Sequence, residues 1–178
     1  MGTTYKKVEL AANLAIIVVA LTLTTVVFKR YLLPDTQKNV PASQSQISIG
    51  DKLSIANVDW RTSNNTLVLV LQKGCRYCDE SAAFYRRLIK GLDGRSDVRL
   101  LAVLPQDAGE SKEYLNDLGV TVGEVVQSPP SAFGVRGTPT LMLVNHNGEV
   151  QDIWQGKLTG EQESKVSERL HLTLAAAF

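Results

Sequence analysis

The stretch from Leu67 to Leu92 constrains this chain more than any other. It opens on an unbroken apolar run, Leu67-Val68-Leu69-Val70-Leu71, and reaches a cysteine pair, Cys75 and Cys78, a few residues later. An apolar run of this length, bounded by polar residues, reads as a strand buried on both faces. Gly74 permits a sharp exit from it. Beyond the cysteines, Cys78, Ala82, Tyr85, Ile89 and Leu92 recur at helical spacing, with Arg86, Arg87 and Lys90 on the opposite side. That pattern predicts an amphipathic helix from about Arg76 to Gly91, with Gly91 and Gly94 as stops. The cysteines therefore sit at a helix N-terminus, just past the end of a central strand.

That placement has chemical consequences. Only a thiolate attacks a disulfide. A helix N-terminus offers unpaired N–H groups and about half a positive charge, which favours the thiolate. Cys75 is expected to be the exposed nucleophile and Cys78, one turn further in, the resolving thiol. Arg76 places a cation beside Cys75. Tyr77, inside the motif, is a candidate substrate contact. The chain has two cysteines in all, so neither is committed to a structural disulfide framework.

A second feature lies upstream. Leu10 to Phe28 is almost wholly apolar, with Lys6 and Lys7 before it and Lys29 and Arg30 after it. At ~1.5 Å per residue it nearly matches a ~30 Å hydrocarbon core. The expectation is an uncleaved signal-anchor over residues 1–30. Cleavage after Val18-Val19-Ala20 is the alternative, but the apolar run continues past it. The short basic N-terminus favours an inside start with the remaining chain extracytoplasmic, although the flanking charges are nearly symmetric. Residues 31–48, with Pro34, Pro41 and several Ser, Gln and Asn, read as a polar tether. Residues 49–178 then form the folded domain.

Within that domain, Leu53 to Trp60 alternates weakly and suggests a first strand or edge hairpin. Leu67 to Gln72 is the central strand and Val98 to Leu104 another. Gly109 to Leu118 suggests a short helix, Val120 to Gln127 a short strand, and Ser131 to Gly134 a helical turn. Thr140 to Val144 and Val150 to Trp154 flank Asn145-His146-Asn147-Gly148, a strong hairpin signal. A last helix starts at Thr159 or Gly160. This order predicts a mixed α/β sheet with flanking helices, the cysteines lying past the carboxyl end of its central strand.

The remaining signature is Val135-Arg136-Gly137-Thr138-Pro139-Thr140-Leu141. Together with Cys75-Arg76-Tyr77-Cys78 it resembles the thioredoxin superfamily, over Gly50 to about Leu172. The anchor, the tether, the opening Gly-Asp-x-Leu and the Asn-x-Asn-Gly hairpin make it most similar to membrane-anchored extracytoplasmic thioredoxin-like proteins of bacteria, the TlpA and ResA type. The resemblance implies a thioredoxin-like fold, a redox-active Cys75–Cys78 disulfide, and a cis Thr138–Pro139 bond facing it. It implies that Thr138 and Pro139 dock an extended protein thiol or disulfide substrate. No cofactor is implied; a membrane or extracytoplasmic redox partner would recycle the pair. Two departures stand out. Gly74 occupies the place of the usual tryptophan, and Leu69 that of thioredoxin's buried acid.

Other chemistries fit less well. Formal net charge is +1, with no basic excess to suggest nucleic acid. Zinc needs about four ligands, and only His146 and His171, in a turn and a terminal helix, could join the cysteines. Covalent haem needs a histidine where Asp79 stands. A peroxiredoxin-like thiol peroxidase would carry Pro-x-x-x-Thr-x-x-Cys, which is absent around Cys75. A non-catalytic assembly or scaffold protein with the same fold remains the rival of another class.

Overall fold

The computed structural model describes residues 16–17 and 46–171. Apart from Ile16 and Ile17, the expected anchor and most of the tether lie outside the described residues, as do residues 172–178. Among the described residues no helix is long and apolar enough to cross a membrane.

The folded part is built on a five-stranded sheet. Its strands are β1 (Asn65–Val70), β2 (Val98–Leu104), β3 (Glu124–Gln127), β4 (Thr140–Asn145) and β5 (Val150–Gln155), in the order β3-β2-β1-β4-β5. Parallel pairing joins β1 to β2 and β2 to β3; antiparallel pairing joins β1 to β4 and β4 to β5. The mixed sheet and the central place of β1 agree with the sequence reading. Four helices accompany it: α1 (Arg76–Glu80), α2 (Ala82–Leu92), α3 (Ala108–Asp117) and α4 (Gly160–Arg169).

Strand periodicity divides the core in two. Leu67, Leu69, Leu71, Ala102, Leu104, Leu141 and Leu143 cluster with the buried apolar side chains of the helices, including Cys78, Tyr85, Leu88, Tyr114 and Val166. Val68, Val70, Leu101, Val103, Met142 and Val144 form the other cluster. That second face is covered by Leu53, Ile55, Phe133 and Val135. Among the described residues the helices serve one face, and irregular segments cover the other.

The segment Leu53 to Trp60 explains this. It is not a strand: pairing stops at its start, where Lys52 bridges Glu149, Gly50 N–H donates to the Val150 carbonyl at 2.8 Å, Val150 N–H donates to the Asp51 carbonyl at 2.9 Å, and Leu53 N–H donates to the Gly148 carbonyl at 2.8 Å. Asn57 turns to a positive φ of 64°, and Trp60–Thr62 form a 3₁₀ turn. The weak alternation reported the burial of Leu53 and Ile55, not a hydrogen-bond ladder.

The single helix expected from Arg76 to Gly91 is also divided. Ser81 lies between α1 and α2, and its hydroxyl donates to the Tyr77 carbonyl at 2.7 Å. A serine bonding back four residues competes with the backbone ladder and bends a helix. The buried stripe of α2 includes Phe84 and Leu88, while Ile89 is only half-buried.

The β4–β5 hairpin forms where its turn residues stand. Asn145 Oδ1 accepts from the N–H groups of Asn147 and Glu149 at 2.9 and 3.0 Å. Gly148 has φ +79°, and a Cβ there would lie 2.8 Å from Trp60 Cδ1. We expect Gly148→Ala to destabilise the domain by at least about 1–2 kcal/mol, the cost of a left-handed conformation for a residue with Cβ. A denaturant midpoint lowered at unchanged slope would register it; an unchanged midpoint would mean the hairpin and the Trp60 ring relax freely.

Candidate active site

Strand β1 delivers the chain to the site. Leu71 continues its pairing, with N–H to the Val103 carbonyl at 3.0 Å. Gly74, at φ +79°, makes the turn out. Cys75 then caps α1: its backbone is extended, and its sulfur accepts from the Cys78 N–H at 3.2 Å. Cys75 and Cys78 are disulfide-bonded, with Cα atoms 5.2 Å apart. Cys75 is half-buried and Cys78 fully buried. The accessible member is the first one, as the helix-end reading expects.

The second signature arrives from β4. The Thr138–Pro139 peptide is cis. The Thr138 carbonyl oxygen lies 3.4 Å from Cys75 Sγ. Two bonds hold this corner: Thr140 Oγ1 donates to the Gly137 carbonyl at 2.7 Å, and the Gly156 N–H donates to the Pro139 carbonyl at 2.7 Å. The fold therefore brings Cys75, Cys78, Thr138 and Pro139 together from positions over sixty residues apart in sequence. Pro139 is buried and Thr138 half-buried.

The motif's inner pair differ in their roles. Tyr77 is 56% exposed, an aromatic surface beside the sulfurs. Arg76 does not stand free beside Cys75. Its Nε donates to Glu80 Oε1 at 2.7 Å. Glu80 also accepts from Lys157 Nζ, at 2.8 Å. The Lys157 bond first, then the Arg76 bond, holds the Glu80 carboxyl below its ordinary range. The push of Arg76 toward a Cys75 thiolate is correspondingly shared with Glu80.

Sequence reasoning did not find Tyr114 or Lys157. Tyr114, on α3, donates to Asp79 Oδ1 at 2.7 Å. Asp79 and Glu80 are both exposed. Yet each ties α1 to a different neighbour, Asp79 to α3 and Glu80 to the segment between β5 and α4. Burial, aided by the Asp79 carboxylate, raises the Tyr114 hydroxyl well above its ordinary value. Burial likewise pushes the Tyr85 hydroxyl up to about 12. Neither phenol accepts a proton near neutrality, and Leu69 offers none. His146 sits in the β4–β5 turn and His171 beyond α4, while Trp60 and Trp154 are half-buried rim residues.

No protein-family model matches the chain, and no curated protein matches it. Solved structures do. A Chlorobium tepidum protein assigned as a thiol:disulfide interchange protein DsbE superposes with a TM-score of 0.54 at 19% identity, covering 71% of this chain and 97% of its own. The thioredoxin domain of a thiol-disulfide oxidoreductase from Bacteroides vulgatus gives 0.53 at 14% identity, covering 70% and 99%. A thiol:disulfide interchange protein from a Bacteroides species gives 0.54 at 13% identity, covering 70% and 91%. At these identities the similarity establishes the fold, a thioredoxin-like α/β domain around a mixed sheet. These three are described as thiol:disulfide interchange proteins or a thiol-disulfide oxidoreductase, and this chain carries a Cys-x-x-Cys pair at disulfide distance.

Proposed function

We propose that this chain is a membrane-anchored thiol–disulfide oxidoreductase that exchanges disulfides with protein substrates. One observation carries the reading. A half-buried Cys75 sulfur, bonded to buried Cys78, stands 3.4 Å from the backbone carbonyl oxygen of Thr138. In the reduced chain the Cys75 thiolate attacks one sulfur of a substrate disulfide, and the other sulfur leaves as a thiolate and takes a proton. The Cys78 thiolate then attacks Cys75 Sγ, the substrate departs as its second thiol, and the Cys75–Cys78 bond forms. Two electrons pass to the substrate. The reverse sequence oxidises a substrate dithiol. Thr138 and Pro139 form the substrate platform, with Tyr77 and Arg76 at its edge, and a second redox protein at the membrane restores the pair.

The test is equilibration of the purified full-length chain, in detergent, against glutathione and against a disulfide-bonded protein. A Cys75–Cys78 pair that cycles with both supports the reading. Failure to exchange with either, or turnover of hydrogen peroxide without a disulfide substrate, overturns it.

The proposal includes an anchor over residues 1–30, a tether over 31–48 and a redox domain over 49–178 on the extracytoplasmic side. It rests on the apolar run Leu10–Phe28. The expected result is retention in the membrane fraction after alkaline extraction, and labelling of reduced Cys75 by an impermeant thiol reagent on intact spheroplasts. Labelling only after lysis would reverse the orientation, and recovery of a shortened soluble chain would mean cleavage.

A further inference from the structure

The charges around the site are sorted by side. Consider the charged side chains within two residues of Cys75, Thr138, or Gly156, whose N–H holds the Pro139 carbonyl. They are Lys73, Arg76, Arg136 and Lys157, all cations; the same span about Cys78 adds the carboxylates Asp79 and Glu80. Their neutralisation is uneven. Lys73 faces Glu110 of α3 at 3.6 Å. Arg76 and Lys157 share the single carboxylate of Glu80. Arg136, two residues before Thr138, is exposed, and no ion pair engages it among the described residues.

Glu80 apart, the carboxylates that meet α3 or belong to its first turn lie on the other side of α1. Asp79 meets Tyr114 of α3. Asp107 caps α3, accepting from the N–H groups of Gly109 and Glu110 at 2.8 and 3.0 Å. Glu110 lies in the first turn of α3. The two ties of α1 fix the polarity: Asp79 points to α3, and Glu80 to Lys157. The sulfurs therefore lie on a boundary, with acidic α3 on one side. The Arg136–Thr138 corner and Lys157, on the other side, carry three cations, counting Arg76, against one carboxylate.

We infer that the substrate segment lying along Gly137–Pro139 is acidic, so that this oxidoreductase selects cystines flanked by carboxylates on that side. The inference rests on the exchange reading above and adds the substrate's chemical class. Cations arranged beside a reacting atom raise the encounter rate of an anionic partner and repel a cationic one. Arg136 supplies the most available charge, because Arg76 and Lys157 already share Glu80.

Three synthetic peptides test it. Each is closed by one disulfide and differs only in the residues flanking one cysteine: Glu, Gln or Lys. Their reduction by the pre-reduced full-length chain is followed under pseudo-first-order conditions. The Glu peptide is expected to react about three- to tenfold faster than the Gln peptide at low ionic strength, and the Lys peptide slower, in line with electrostatic steering. The spread should contract in ~0.5 M salt, where charges a few ångströms apart are screened. In Arg136→Glu and in Arg136→Gln the Glu-to-Gln rate ratio should fall toward one, a readout internal to each variant and independent of its overall rate. Equal rates for all three peptides, a preference for Lys, or an unchanged ratio in both variants would overturn the inference while leaving exchange intact. Reaction with none of the peptides would sink the exchange reading itself, and this inference with it.

Discussion

Cys75→Ser is expected to abolish disulfide exchange, whereas Cys78→Ser is expected to trap substrates as mixed disulfides through Cys75. The asymmetry follows from burial and from the helix end. Cys75 is the half-buried sulfur, and it receives the Cys78 N–H. That donor and the positive end of α1 stabilise a thiolate at position 75. Serine cannot replace that nucleophile, because its hydroxyl stays protonated and forms no bond to a substrate sulfur. Cys78 is fully buried, so a substrate cannot reach it until Cys75 has reacted. On the proposed reading its task is intramolecular: it would attack Cys75 once the mixed disulfide exists. Removing it leaves the first step and deletes the escape. The readout is a non-reducing gel of each full-length variant incubated with a disulfide-bonded protein, with the adduct identified by mass. Equal adduct from both single variants would remove the division of roles. Adduct from Cys75→Ser alone would reverse it.

What was legible in the sequence is what local chemistry dictates. β1 and β2 read as strands because Leu67–Leu71 is apolar on both faces and Val98–Leu104 is apolar but for Arg99. The β4–β5 hairpin read as one because Asn145 and Gly148 supply the turn's acceptor and its positive φ. The two halves of the site were visible as separate motifs, and the cis Thr138–Pro139 bond was expected from resemblance before it was observed. What was not legible depends on partners distant in sequence. Asp79 and Tyr114 lie thirty-five residues apart, and Glu80 and Lys157 seventy-seven. No periodicity announces such pairs, because each member is an ordinary surface or helix residue until the sheet brings its neighbour close. The Leu53–Trp60 segment misled for a related reason. Alternation records which side chains are buried, and an irregular chain lying over a sheet face buries alternate residues as a strand does. The break at Ser81 turns on one hydroxyl choosing a carbonyl, which helix propensity does not resolve.

Leu69 is where the second large effect is expected. It stands on β1, 1% exposed, in the same apolar cluster as Cys78 and the helices. Leu69→Ala removes buried methyl groups and leaves a cavity that close-packed neighbours fill only in part. The expected loss is about 2–5 kcal/mol, a large share of the ~5–15 kcal/mol that a domain of this kind holds. Leu69→Asp should cost more at neutral pH. Thioredoxin, which this chain resembles, carries an acid at this place, where leucine stands here. Its cluster is mostly hydrocarbon, Leu67, Leu71, Leu88 and Leu104 among its members, with Tyr85 and Tyr114 as its hydroxyl-bearing ones. Burial disfavours the charged form, so the folded-state pKa of the new carboxyl rises above the unfolded value of about 3.9. A raised acid pKa makes the unfolded chain the better home for the carboxylate. The added penalty is therefore absent below pH ~4 and grows as pH rises toward the folded pKa. The difference between Leu69→Asp and Leu69→Ala should be wide at pH 7.5 and narrow at pH 4.5. Urea midpoints of the two variants at both pH values, with the disulfide kept closed, measure it. If Leu69→Asp matched Leu69→Ala at pH 7.5, water or a proton donor would have to reach position 69. Helix α1 would then not seal the space beneath Cys78, and the absence of an acid from β1 would reflect a wet site, not a dry one.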